Sequence, residues 1–336
     1  MNTKRWLALG AAVVLLVGSI GLNTVISIFK TDFFSSFNDV MSTEQTVVET
    51  VIEPGDYGER IALLSVDGTI QDVGTSSPWT TLEYDHQNFL SQLENILYDE
   101  SVKAVVLYVN SPGGGVIESA DIHEKLVEIK EQRNIPIYVS MGSYAASGGY
   151  YISAPADKIF AHSETITGSI GVIMQSYNFS ELANKLGIEF ETIKSGEHKD
   201  MFGGTRPTTE EEKAMVQEMI NESYEAFVDV IEQGRGMSEA DVKKVADGRI
   251  LGGSQAIEAG LVDEIGGLED TIAAIRADYG LENAELFEYE SSFGDLTSLL
   301  GVKISSLFGP SPEEQFLTKF MTSNGGPRMM YLYGEY

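Results

Sequence analysis

One serine, Ser147, stands among alanines and glycines in "YAASGGYYISA", residues 144 to 154. Small residues let a chain turn sharply or lie against a neighbour, so Ser147 is either packing filler or a nucleophile held on a turn. If it is a nucleophile, the N–H of Gly148 lies beside the oxygen under attack, and a helix starting there favours the developing charge. The pattern is not G-x-S-x-G, which excludes an α/β-hydrolase elbow. A second glycine turn, "SPGGG" at 111 to 115, also precedes a helical stretch. It has neither G-x-G-x-x-G nor the Lys-Ser/Thr of a phosphate loop. Its better use is to expose backbone N–H groups of Gly113 and Gly114 toward a pocket, as donors to an oxyanion.

A nucleophilic serine needs a base. The chain has four histidines and no cysteine, which rules out thiolate metal sites, disulfides and thiol catalysis. No histidine pair has H-E-x-x-H spacing, so no metal and no cofactor is expected. His162 opens a polar loop and His123 lies within a helix, neither obviously held by a carboxylate. "IKSGEHKDMFGG" offers Lys194 and Lys199. A lysine works as a base when desolvation lowers its pKa from ~10.4 toward neutrality. Lys199 has Met201 and Phe202 nearby to exclude water, although a solvated surface lysine is the ordinary case. His198, one residue before it, is the rival base.

The surrounding elements must bring these residues together. "RIALLSVDGTI" reads as a strand ending in a turn at Asp67-Gly68, and "HQNFLSQLENILYDE" has the apolar spacing of an amphipathic helix. "VKAVVLYVN" and "IPIYVSM" are β-rich apolar runs typical of parallel strands buried on both faces. Between them "VIESADIHEKLVEIKEQR" reads as a helix with Ile122, Leu126 and Ile129 on one side. The alternation implies βαβ units, in which ligands sit beyond the carboxyl ends of strands, where both glycine turns fall. "FETIKS" is strand-like. "EEEKAMVQEMINESYEAFVDVIEQGRG" is a long helix with Met215, Met219, Tyr224, Phe227 and Ile231 as its expected buried stripe and Gly234 at its end.

The chain has 336 residues and a formal charge of -29, from 51 acidic and 22 basic side chains. Such a surface repels phosphate backbones, so no nucleic acid is expected as a partner. Residues 6 to 28 are apolar and uncharged, long enough to cross a ~30 Å hydrocarbon layer. Lys4 and Arg5 precede them, which places residues 1–5 in the cytoplasm and the rest outside the cell membrane. The run is too long for the apolar part of a cleaved signal, so a single-pass anchor is expected. Residues 29–59 read as a linker, 60–285 as the main domain, and 286–336 as a C-terminal extension ending in the apolar "MMYLYGEY".

The ordered set "VNSPGGGV", "MGSYAASGGYYISAPAD", "TGSIGVI", "KSGEHKDMF" and "GRILGGSQAIEAGLVDEIGG" resembles the signal peptide peptidase A family, in its short single-domain bacterial form. The resemblance covers about residues 60 to 280. It implies an α/β fold of the ClpP/crotonase kind, built of stacked β-β-α units, with protomers assembled in a homo-oligomeric ring. It also implies a Ser/Lys serine protease in which Ser147 is the nucleophile, Lys199 the base, and Gly114 and Gly148 the oxyanion-hole donors. Ser169 of "TGSIG" is then the serine that orients the lysine. The implied substrates are hydrophobic signal-peptide remnants, and the apolar tail is expected to dock in, or be trimmed by, such a site.

Three other readings are weighed. A ClpP-like peptidase would carry its histidine ~25 residues after the serine, where this chain has Val172 in "SIGVIMQ". A crotonase-like acyl-CoA binder would need basic residues for phosphates and a cytoplasmic setting. A catalytically silent membrane assembly protein would tolerate loss of Ser147 and Lys199.

Overall fold

A computed structural model describes residues 48–72, 84–290 and 328–334. The expected anchor at 6–28, the first part of the linker and most of the C-terminal extension lie outside the described residues. Among the described residues no helix is long and apolar enough to cross a membrane.

The two apolar runs form the middle of the sheet. Strand β3 (Val102–Ser111) lies between β2 (Asp56–Asp67) and β5 (Ile137–Ala146), parallel to both. Val105, Val106, Leu107 and Val139 are fully buried, as β-branched strands covered on both faces require. Outside β5 come β6 (Lys158–Ala161) and β9 (Glu264–Ile265), also parallel. Outside β2 come β10 (Ala284–Glu290), parallel, and then β1 (Val48–Glu53), antiparallel. The carboxyl end of β5 also pairs with β7 (Ile166–Gly168), which carries β8 (Ile250–Gly252) antiparallel on its other side. This mixed α/β architecture with a mostly parallel sheet fits the ClpP/crotonase expectation.

Helix α1 (His86–Tyr98) starts with Asp85 accepting from the Asn88 N–H and buries Phe89, Leu93, Ile96 and Leu97. Helix α2 (Val116–Arg133) covers the expected stretch, with Ile122, Leu126 and Ile129 inward. Helix α3 (Gly148–Ser153) follows β5, and α4 (Ser180–Lys185) precedes the lysine loop. The long helix α5 (Glu210–Arg235) opens with a Thr209/Glu212 capping box. It is followed by α6 (Glu239–Val245), α7 (Gly253–Glu258) and α8 (Leu268–Tyr279).

Four expectations are corrected. Met215 and Met219 are exposed rather than part of the buried stripe, whose inward positions are taken by Val216, Phe227, Val228 and Ile231. Gly234 does not end α5; it lies within it, where a Cβ would run into the carbonyl of Ala154, so the glycine allows close packing onto α3. The helix ends at Gly236, in the left-handed conformation. "FETIKS" forms no strand, and Ile193 there is 95% exposed. Residues 48–59, read as linker, contribute β1 and the start of β2.

That edge of the sheet is held by a buried cation. Arg60 is 2% exposed and bonds Glu49 of β1, Asp99 after α1 at 3.1 Å and Glu285 of β10 at 3.1 Å. Its guanidinium lies 3.7 Å from the centre of the Phe287 ring. Removing Arg60 leaves Glu285, 11% exposed, uncompensated while Glu49 and Asp99 reach water, so the cost is about 3 kcal/mol, the low end for a broken buried pair. Arg60→Met is therefore expected to lower the urea midpoint by that stability equivalent with an unchanged m-value; an unshifted midpoint would show that solvent already neutralises the cluster.

Candidate active site

The carboxyl end of β5 is where the chain changes character. Ala146 pairs with Gly168 of β7, and the next N–H, that of Ser147, donates to the Gly168 carbonyl at 2.8 Å. Ser147 then takes φ 52°, ψ -116°, a conformation that costs a non-glycine residue on the order of 1–3 kcal/mol and concentrates at functional sites. Helix α3 begins at the following residue. The Gly148 N–H is thus among the first-turn donors that have no partner inside the helix. Ser147 is 1% exposed, so its hydroxyl is largely withdrawn from bulk water.

The second glycine turn lies directly against this one. Gly113–Gly115 form a short strand, β4, fixed on one side by Ile70: the Ile70 N–H donates to Gly113 O at 2.9 Å, and the Gly115 N–H to Ile70 O at 2.8 Å. Ser111 Oγ accepts from the Gly113 N–H at 3.0 Å and holds the turn. A Cβ on Gly148 would lie 3.0 Å from Gly114 N and 2.6 Å from Ser119 Oγ. A Cβ on Gly113 would lie 2.6 Å from Gly148 N. The two turns are in backbone contact only because neither carries a side chain. This brings Ser147, Gly148 and Gly114 together at the amino ends of α2 and α3, whose dipoles favour negative charge there.

Ser169 joins the same neighbourhood. It follows β7 with φ 52°, is 9% exposed, and its N–H donates to Arg249 O at 2.7 Å. The β5–β7 pairing makes it the counterpart of Ser147 on the adjacent strand end.

Lys199 makes no hydrogen bond to Ser147 among the described residues. It lies exposed on the loop between α4 and α5, and its ammonium has no hydrogen-bond or ion-pair partner among the described residues. Its neighbours are tied down. Lys194 bonds Asp200 at 2.7 Å and Glu197 O at 2.6 Å. Arg206 bonds Asp200 at 2.7 Å and Glu212 at 2.5 Å, and Glu212 stands 3.3 Å from His198 Nδ1. Arg206 holds the Glu212 carboxyl well below the usual carboxylate range, and likewise Asp200. His198, the rival base, is therefore engaged with Glu212. Of the two candidate lysines only Lys199 is unengaged.

The other histidine near the site, His123, packs edge-on to Tyr151 with ring centres 5.3 Å apart, and burial pushes its pKa down to about 4. Tyr151 and Phe227 wall an apolar pocket beside β4. The C-terminal segment fills it: β11 (Met330–Leu332) pairs antiparallel with β4, Tyr331 opposite Gly114. Tyr331 stacks on Tyr151 at 5.0 Å, and its hydroxyl donates to Ser223 O at 2.8 Å. On its other side Met330 exchanges backbone hydrogen bonds with Ile173 at 2.9 and 3.0 Å. The site is thus a groove with strand-pairing edges on both sides. The aromatic wall was not visible beforehand, because Tyr151 and Phe227 lie in separate helices that each look self-sufficient. Ser119, buried with its Oγ unbonded, was missed as an ordinary residue of the helix face.

A profile of Peptidase family S49 matches residues 129–282. A protein of Enterococcus faecium named as a signal peptide peptidase SppA is 41% identical over 99% of both chains. A protease of Methanocaldococcus jannaschii is 40% identical over 67% of this chain and 73% of its own. A chloroplast serine protease of Arabidopsis thaliana is 30% identical over 64% of this chain and 32% of its own.

His123 supplies a prediction about acid sensitivity. Its folded pKa of about 4 lies below the unfolded value near 6.5, so the unfolded chain takes up the proton first. Its contribution to stability is complete above pH 6.5 and is lost as pH falls toward 4. Denaturant unfolding across that window should show a decline that His123→Phe reduces; the same slope in both proteins would contradict the assignment.

Proposed function

The chain belongs to peptidase family S49, a family of serine peptidases, and from that premise we propose that it is a membrane-anchored endopeptidase using Ser147 and Lys199 as a Ser/Lys dyad. The observation that carries this reading is Ser147 itself, strained to φ 52° at the head of a helix with the Gly114 and Gly148 backbones in contact beside it. In this mechanism neutral Lys199 takes the Ser147 proton as Oγ attacks the scissile carbonyl. The oxyanion rests on the N–H groups of Gly114 and Gly148. Lys199 then protonates the leaving amine, the C–N bond breaks, and water hydrolyses the acyl-enzyme with the same lysine as base. Ser169 orients the lysine from the neighbouring strand end.

An exposed, unengaged Lys199 supports a base that serves the Ser147 of a neighbouring copy in a homo-oligomeric ring. The loop region around it agrees, since Tyr177, Leu182, Leu186, Ile188 and Ile193 are all at least half exposed, more apolar surface than a lone soluble domain usually shows. Seating the lysine against another copy would remove it from water and lower its pKa, which a general base requires. The groove's paired edges and aromatic pocket suit extended apolar peptides, in line with signal-peptide remnants as substrates. The chain's own C-terminal segment, which has this character, is proposed to compete for the groove.

Ser147→Ala and Lys199→Ala should each abolish cleavage of an apolar fluorogenic peptide, while His198→Ala retains it. Co-assembly of the two inactive variants should restore part of the activity, because mixed rings contain intact pairs; a mixture as inactive as its parents would place the dyad within one chain. The wild-type rate should rise along an alkaline limb that reports deprotonation of the base. Gly148→Ala keeps the N–H, but its Cβ would lie 2.6 Å from Ser119 Oγ and 3.0 Å from Gly114 N and should push the two turns apart. This should reduce kcat by about 10²–10³, the scale of a misplaced oxyanion donor; a near-normal rate would show that the contact of the two turns does not position the hole.

A further inference from the structure

The groove continues past the aromatic pocket into a cavity of about 450 Å³, and its chemistry changes there. Val116, Met174 and Met219 supply apolar wall, but Asp72, Glu118 and Asp121 also line it. Among the described residues its one Lys or Arg is Arg328, which belongs to the C-terminal segment seated in the groove. Arg328 donates to Glu118 Oε1 at 3.3 Å and to Gln71 Oε1 at 3.0 Å.

Glu118 has an ordinary role that it does not fill. As the third residue of α2 its carboxylate would reach back to the N–H of the capping residue, Gly115. That N–H is already donated to Ile70 O at 2.8 Å. The carboxylate instead folds over the Gly115 Cα, at the edge of β4 where the bound strand pairs, and accepts from the Asp72 N–H at 3.2 Å. Its side chain is 12% exposed, so a charge it faces is poorly screened by water. A second observation marks the same cavity as a binding place. His86 is 3% exposed and bonds Tyr84 through Nδ1, while its Nε2, 3.5 Å from Asp121, has no hydrogen-bond partner.

We propose that Glu118 is a specificity-determining residue that reads a cationic side chain of the bound peptide, three residues to the amino side of the residue occupying the Tyr331 pocket. The inference rests on the reading of the groove as a peptide site, and it narrows the substrate class to apolar peptides preceded by lysine or arginine. Asp121 and Asp72 add to the negative potential at that end, while Gln71 offers the guanidinium a neutral acceptor. The Tyr331 pocket fixes register, and the strand pairing along β4 carries the cation to Glu118.

The test compares two fluorogenic peptides, identical except for Arg or Ala at the position equivalent to Arg328. The full-length protein should cleave the Arg peptide with a kcat/KM ~10-fold higher, one well-placed charge contact's worth. Glu118→Gln should bring the ratio near one, and raising ionic strength should lower it in the wild type. Binding of the same pair to the Ser147→Ala protein, by fluorescence anisotropy, reads the preference without cleavage. Preferential binding of the Arg peptide there, with no cleavage by the wild type, would sink the peptidase reading and leave this one standing. Equal binding of both peptides, or a ratio that Glu118→Gln leaves unchanged, overturns the proposal.

Discussion

The site depends on a backbone contact that excludes side chains. β4 and the head of α3 approach so closely that a methyl group at Gly113 or Gly148 would meet the other segment's backbone at 2.6 to 3.0 Å. That approach places two sets of N–H groups side by side at the start of two helices. It also leaves Ser147 to make the turn from β5 into α3 with φ 52°. The strain is held from outside: the Ser147 N–H is bonded to Gly168, and the Gly113–Gly115 strand is clamped by Ile70. Two parallel strands, buried along most of their length, anchor both turns, since β3 leads into one and β5 into the other.

The lysine loop obeys a different logic. Its charges are gathered on Arg206, which spans Asp200 and the capping Glu212, and this ties the residues on both sides of Lys199 to the start of α5. The loop is therefore shaped without using Lys199, whose ammonium has no partner among the described residues. Under the proposed dyad, coupling desolvation of Lys199 to assembly would keep Ser147 inactive until copies meet.

Much of this was legible in the residues. Buried β-branched runs identify β3 and β5, and the spacing of Ile122, Leu126 and Ile129 identifies α2, because periodicity reports which faces are covered. The glycine turns and Ser147 could be singled out, but their mutual contact could not, since residues 113 and 148 meet only through the sheet. Lys199 stands out over Lys194 through Met201 and Phe202 beside it and through the resemblance of "KSGEHKDMF"; what could not be read was the ion pair that engages Lys194 with Asp200. Gly234 was misread because a glycine that permits close helix packing and one that ends a helix look alike in sequence. Met215 and Met219 were misplaced because methionine fits either a core or an exposed groove wall, and Met219 lines the cavity beside Glu118.

The most direct measurement is covalent labelling by a serine-directed acylating or phosphonylating probe, located by peptide mass spectrometry across pH. The account predicts a single modified residue, Ser147, labelled faster as pH rises, with labelling lost in Lys199→Ala. Modification elsewhere, or labelling of Ser147 at the same rate with and without Lys199, would contradict it.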